Sequence, residues 1–421
     1  MRSHRPTFAL AAAAAALLIL TTPAIASSKR VAPWGSDSNP GTAAAPWATI
    51  GKASAAAAAG ETVYVESGSY AQFPNPAQER VTFVGLLDVR GPGGRLARPR
   101  TTVRGFNWWS DVSVWGNGCA LEWCTVRGGS FNLDNWAGVD DVKLRDLRVD
   151  VRNPGSTAFL LRWQPEGDAR IRRLVVERCR FVCTVLPGQP VDQKVVMMNR
   201  LEDCVFADSW WTLRDSTGQD PGSSVRQGYL CRDGLKRNRW VRDTIEALAL
   251  VGGRGNIGID FTSSGNTIAG GGNIIEQCLI RNETGAYTQH QWKMQDGDQF
   301  RSNRVETRTG YRISGIDGVA FVLGNQFHAL GSAPALIIGG SGNWSGTLYV
   351  LSNRLSGSSP VKHGITYEPG DPSAVVSDGN GYMCTRGQEV QIAGTWTNLA
   401  TACARGWDCR SISMATKQVI P

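Results

Sequence analysis

The chain is poor in charge: only 19% of its residues are Asp, Glu, Lys or Arg. That composition fits many short strands and turns better than long helices with charged outer faces. No pair of CxxC units occurs, which excludes the usual structural zinc site. Ten cysteines are too sparse in 421 residues for a disulfide scaffold. No glycine-rich phosphate loop is present, so phosphate and nucleotide chemistry has no support. Beyond the N-terminus, no apolar run approaches the roughly 20 residues that a bilayer span requires.

The N-terminus itself reads as an export signal. Arg2 and Arg5 give it a positive start, and Ala9 to Leu20 is an apolar run too short to span a bilayer. Ala24-Ile25-Ala26 is a small-x-small cleavage site. Residues 1–26 are therefore expected to be removed, leaving a secreted or periplasmic protein with no membrane contact. The leader carries two of the 44 basic residues and none of the 36 acidic ones, so the mature chain stays basic. A basic exported protein favours anionic partners.

What the chain has in quantity is glycine, with 49 residues, and a recurring six-residue template. The template is apolar, two variable residues, a small polar residue or Cys, one variable residue, apolar. It occurs as Leu121–Val126, Leu144–Val149, Val176–Phe181, Leu201–Phe206 and Trp240–Ile245, then Ile275–Ile280, Phe300–Val305, Val322–Phe327 and Val350–Leu355. The fourth positions are spaced by 23, 32, 25, 39, 35, 25, 22 and 28 residues. A repeat near 22 residues with variable insertions marks a solenoid, and it is too short for helical hairpins. Period-two alternation bounded by Gly, Asn and Ser marks strands and turns. The expectation is an all-β solenoid, a parallel β-helix, whose stacked coils place equivalent residues about 4.8 Å apart.

The fourth position holds Cys124, Cys179, Cys204 and Cys278 in four units and Asn303, Asn325 and Asn353 in the last three. These are expected to form internal ladders: Asn side chains bonded from coil to coil, and Cys acting as a small buried apolar residue. Cys384, Cys403 and Cys409 lie outside the ladder and are the candidates for a disulfide near the C-terminus. Thr49 to Ala59 is strongly helix-forming and precedes Thr62–Val65, taken as the first strand, so a capping helix is expected there. Trp396 to Ile412 is expected to cover the other end. The resulting division is a leader at 1–26, an N-terminal cap at 27–60, a β-helix at 61–376 and a closing segment at 377–421.

Three segments carry a resemblance. Gly35–Thr42, Pro46–Ala53 and Gly60–Tyr70 resemble the N-terminal part of the pectate-lyase-like right-handed parallel β-helix superfamily, and Ser377–Tyr382 with Gly406-Trp407-Asp408 resembles its C-terminal closing part. The resemblance implies a right-handed parallel β-helix over nearly the whole mature chain. It does not single out an activity, because the superfamily holds lyases, hydrolases, epimerases and proteins without chemistry.

A narrower likeness covers Lys293–Val305 and Gly310–Ile313, which resemble the catalytic strands of the alginate and chondroitin lyases of this fold. It implies that Lys293 is a base and Arg312 an assisting acid one coil later. It also implies calcium, but Ala286 and Thr288 stand where those lyases carry a calcium-binding Glu-x-Glu. No metal ligand is therefore assigned.

β-Elimination on a uronate needs a base for the proton beside the carboxylate and positive charge to neutralise that carboxylate. A free lysine has a pKa near 10.4, which neighbouring cations lower. The stretch 281–312 supplies Arg281, His290, Lys293, Arg308 and Arg312, with Trp292 and Tyr311 as aromatic partners for a sugar ring. Lys293, Arg312 and His290 are expected to be catalytic, and Trp292, Arg281, Arg308 and Tyr311 to bind substrate. The bland alternatives are a solvated lysine, a surface arginine and aromatics that fill the core.

The expected function is thus a polysaccharide lyase acting on an acidic polysaccharide, as a monomer and with no nucleic-acid partner. Two rivals stay open. A glycoside hydrolase would need two carboxylates across a groove, with Asp260, Glu276 and Asp296 as conceivable members. A non-catalytic glycan-binding protein would show an aromatic groove without clustered cations.

Overall fold

The computed structural model describes residues 28–72, 74–85, 101–104, 117–128, 131–132, 139–152, 159–163, 169–186, 194–216, 227–232, 234–249, 257–262, 270–283, 291–339, 344–357, 364–367, 375–383, 390–392, 395–404, 410 and 412–413. The leader expected at residues 1–26 lies outside these residues.

Among the described residues, the strands assemble into two sheets of 13 strands, one of 11 and a short one of three. Sequential neighbours in each sheet come from successive coils and pair in parallel, as in Val175–Glu177 with Val205–Ala207. The chain is therefore a parallel β-helix. One pairing departs from this: Val390–Ile392 and Thr395–Thr397 form an antiparallel hairpin at the end of the third sheet.

One coil shows how the sequence makes the shape. Val175–Glu177 belongs to the first sheet and Arg180–Val185 to the second. Lys194–Asn199 belongs to the third, Leu201–Glu202 to the short sheet, and Val205–Ala207 returns to the first one coil on. Two tight corners bend the chain, at Arg178-Cys179 and Asp203-Cys204. In each, the first residue takes the left-handed conformation, with φ of 53° at Arg178 and 55° at Asp203. The second residue turns inward and is buried.

These two corners carry the same sequence pattern, which corrects one expectation. Cys204 does not continue the ladder of Cys179. It sits at the corner before the first sheet, and Ser209 occupies the ladder position after it. The Ser209 hydroxyl accepts the Cys179 N–H at 3.1 Å, 30 residues away in sequence. Two internal ladders therefore run along the rod. The one between the first and second sheets runs Cys124, Leu147, Cys179, Ser209, Asp243, Cys278, Asn303, Asn325, Asn353 and Asn380. The other includes Cys204, Asn238, Asn273 and Asp298 and has its own coil-to-coil hydrogen bonds.

Outside, the left-handed corner residues of successive coils alternate in charge. Arg178 binds Asp146 through two bonds of 2.9 Å, and Arg242 binds Asp208 in the same two-bond manner. At the other corner Arg173 holds Asp141 and Arg237 holds Asp203. The hydrogen bonds from these arginines keep the carboxyls of Asp141, Asp203 and Asp208 below the usual range.

The interior is filled by stacked apolar side chains. Phe181 and Trp211 stack at 3.9 Å, Phe206 and Trp240 at 5.1 Å, and Phe300 and Tyr311 at 5.3 Å. At the N-terminal end the first strand is Ser28–Val31, which pairs with Thr62–Val65. The helix therefore falls between two strands of the first sheet, not ahead of them. It spans Ile50–Ala56, is capped by the Thr49 hydroxyl, and buries Ile50 and Ala53 in the core. Near the C-terminus a helix spans Leu399–Ala404, and Ile412–Ser413 adds to the second sheet at Gly381–Tyr382. Cys403 there is disulfide-bonded, whereas Cys124, Cys179, Cys204 and Cys278 are free and buried.

Candidate active site on the third sheet

The strand Gln291–Gln295 lies beside Tyr311–Asp317 in the third sheet. Alternation sets the direction of each side chain. Trp292 and Met294 are buried in the core, so Lys293 between them faces outward. Tyr311 and Ile313 are buried, so Arg312 faces outward as well. Gln291 pairs with Arg312, and Lys293 pairs with Gly315, because the register shifts between Trp292 and Lys293. Lys293 and Arg312 are thus diagonal neighbours on adjacent coils. A strand spacing of about 4.8 Å and a rise of about 3.3 Å per residue put their Cα atoms about 8 Å apart.

The register shift is a β-bulge, and bulges re-aim nearby side chains. Ser314 is the extra residue. It is 4% exposed, and its hydroxyl has no hydrogen-bond partner among the described residues. The residue opposite Lys293 is glycine, so no side chain crowds the lysine from that coil. The Arg312 guanidinium is half-buried and donates to the Gly339 carbonyl at 3.1 Å, which ties it to the next coil.

The other expected site residues separate into three groups. Trp292 and Tyr311 are interior, 1% and 0% exposed, and cannot stack on a substrate; this corrects their assignment. The reason is parity: a strand that turns Lys293 outward must turn its neighbour Trp292 inward. Arg281 and Arg308 belong to the second sheet and its edge. Arg281 pairs with Glu283 at 2.6 Å and Glu306 at 3.5 Å, while Arg308 donates to the Glu283 carbonyl at 3.1 Å. They are therefore engaged in a separate cluster of opposite charge. His290 lies outside the described residues, immediately before the Lys293 strand.

The carboxylates proposed for hydrolysis are also dispersed. Glu276 is on the first sheet, held by Arg239 at 2.6 Å and Arg301 at 2.7 Å. Burial works to raise its carboxyl, but the bonds from the two arginines prevail and hold it below the usual range. That is the wrong direction for a general acid. Asp296 is in a turn and accepts the Val319 N–H at 2.9 Å. Asp298 points into the core, accepting from Asn273 and from the Gln295 N–H. Asp260 precedes Phe261, which pairs with Trp292, and so shares a register row with Gln291 and Arg312.

Among the described residues no three His, Cys, Asp or Glu side chains lie together as a metal-ligand set. The bulge at Ser314 was not read from the sequence, because it is visible only in the strand register.

No family model matches the chain, and no curated protein matches it. Among solved structures, the GH136 lacto-N-biosidase from Eubacterium ramulus aligns with a TM-score of 0.40 and 11% identity over 87% of this chain and 67% of that one. The complex of XylC with xylose gives 0.39 and 9% over 87% and 86%. The A-module of the mannuronan C-5 epimerase AlgE6 from Azotobacter vinelandii gives 0.34 and 13% over 86% and 91%. Likenesses this distant carry no argument about activity; the parallel β-helix rests on the strand pairing of this chain.

Proposed function

We propose that this protein is an exported polysaccharide lyase that cleaves a uronate-containing glycan by β-elimination. The observation that carries the reading is the outward pair Lys293 and Arg312 on adjacent coils of the third sheet, beside a glycine and a bulge. In the reaction, the Lys293 amine removes the proton on the carbon bearing the carboxylate. A carbon–carbon double bond forms, the bond to the glycosidic oxygen breaks, and that oxygen takes a proton from water as it leaves. Arg312 opposes the negative charge that builds on the carboxylate. One cation about 4 Å away is worth about 4 kcal/mol at an effective dielectric near 20.

The test is ultraviolet absorbance during incubation with alginate, pectate, chondroitin, hyaluronan and glucuronan, each with and without chelator. The expected result is growth of the unsaturated-uronate signal on one polymer. Lys293→Ala should slow it by about a hundredfold or more, the scale of a lost general base. New reducing ends without absorbance would replace the lyase reading with hydrolysis. Silence in both assays on every polymer would leave a binding protein.

A further inference from the structure

The second sheet carries a surface that the candidate site does not use. Arg148, Arg180 and Trp210 occupy one register row on three successive coils. All three are exposed, Trp210 by 45%. The indole is not loose: its N–H donates to the Glu246 carboxylate at 2.8 Å, and the Arg180 guanidinium lies 5.7 Å from the ring centroid. A large apolar ring is therefore held in a fixed orientation on the outside of the rod.

The arginines of this row differ from four at the corners. At the corners Arg173, Arg178, Arg237 and Arg242 are each matched to an aspartate one coil away. Arg148 and Arg180 have no carboxylate partner among the described residues; the nearest acid in the adjoining row, Asp150, faces Arg152 at 3.5 Å. Those four corner arginines are neutralised, whereas Arg148 and Arg180 are not.

We propose that the Arg148–Arg180–Trp210 row is a second binding surface, separate from the third sheet, for a chain of uronate sugars lying along the rod. The coil repeat of about 4.8 Å is comparable to the length of one pyranose unit in such a chain. Consecutive carboxylates then meet Arg148 and Arg180, and a sugar face rests on the fixed indole. Single-stranded nucleic acid fits less well, since its binders present successive aromatic platforms, and this row has one indole beside two cations. The proposal rests on the acidic-glycan part of the functional reading and not on β-elimination.

The test is electrophoresis of the Lys293→Ala protein, which leaves the polymer intact, through native gels containing polygalacturonate or alginate. Gels with a neutral glucan or single-stranded DNA serve as controls. Strong retardation is expected in the uronate gels alone. Arg148→Gln with Arg180→Gln should weaken it about tenfold in apparent Kd, equivalent to about 1.4 kcal/mol. Trp210→Ala should weaken it about fivefold. Arg148→Lys with Arg180→Lys should retain most of the retardation, and circular dichroism should show every variant folded. Unchanged retardation in the glutamine variant, or equal retardation by DNA or neutral glucan, overturns the proposal. Retardation that depends on this row, in a protein yielding no unsaturated product, would keep the surface and remove the lyase reading.

Discussion

The two ends of the ladder between the first and second sheets solve one geometric problem in different ways. In the C-terminal half, each asparagine side chain is fully used. The Asn325 Oδ1 accepts the Asn303 N–H at 2.9 Å and the Asn303 Nδ2 at 3.0 Å. Its Nδ2 donates to the Phe300 carbonyl at 2.8 Å and to Asn353 at 3.0 Å. In the N-terminal half, Cys124, Leu147 and Cys179 fill the same space with apolar bulk, and the one thiol bond of Cys179 to the previous coil, to the Leu144 carbonyl, is 3.4 Å long. Burial pushes the thiols of Cys124 and Cys179 up to about 12, so both stay protonated. A corner of this shape tolerates either solution, but the amide version makes more hydrogen bonds from coil to coil.

Asp243 stands where the two versions meet, and it yields the largest predicted effect. Its Oδ1 accepts the Ser209 N–H at 2.7 Å, and its side chain is buried. Burial raises its pKa to about 8. An acid raised in this way is protonated in the folded chain and ionised in the unfolded chain between about pH 4 and pH 8. Its contribution to stability is therefore fully present below pH 4 and lost as pH rises to about 8, by about 1.4 kcal/mol per pH unit. Asp243→Asn should put a neutral amide in place of the buried acid, flatten this slope, and stabilise the protein at pH 8 by several kcal/mol in urea unfolding. A wild type and variant with parallel pH profiles would show that Asp243 is not neutral in the fold.

Removing an amide should be the next largest change. Asn325→Ala strips partners from the Asn303 N–H, the Phe300 carbonyl and Asn353 together, at about 1–3 kcal/mol for each buried group left unmade. A urea midpoint lowered by much less than one such group would mean that neighbouring coils relax around the gap. Cys179→Ala should cost less, about 1–2 kcal/mol, because it removes one sulfur from a packed site and only a weak bond. Equal losses from Cys179→Ala and Asn325→Ala would erase the distinction between the two halves.

The smallest effect belongs to the outside of the same corners. Arg178→Gln removes an exposed pair with Asp146 and should leave the unfolding midpoint unchanged at moderate salt. A salt-sensitive drop would instead mark the outer charge rows as a cooperative network.

Much of this was legible beforehand. The 22-residue period, the Asn303, Asn325 and Asn353 ladder and the burial of the free cysteines follow from short-range pattern and side-chain chemistry. The register of Cys204 was not legible, because both corners of a coil use the same strand, left-handed residue, buried residue, strand pattern. The first strand was missed because Ser28–Val31 is a strand only by virtue of its partner Thr62–Val65.

The amino-acid order by itself determined a stack of short coils with an amide ladder at one end, since alternation, turn residues and hydrogen-bonding capacity are properties of local segments. Only the tertiary structure decided which side chains share a face. Lys293 and Arg312 come together on the third sheet, Arg281 and Arg308 fall to a different cluster, and Arg148, Arg180 and Trp210 align into one row. The physical reason is that a coil converts residues some 20–35 apart in sequence into neighbours about 4.8 Å apart. A loop longer or shorter by one residue, or a single bulge such as that at Ser314, resets which of them meet.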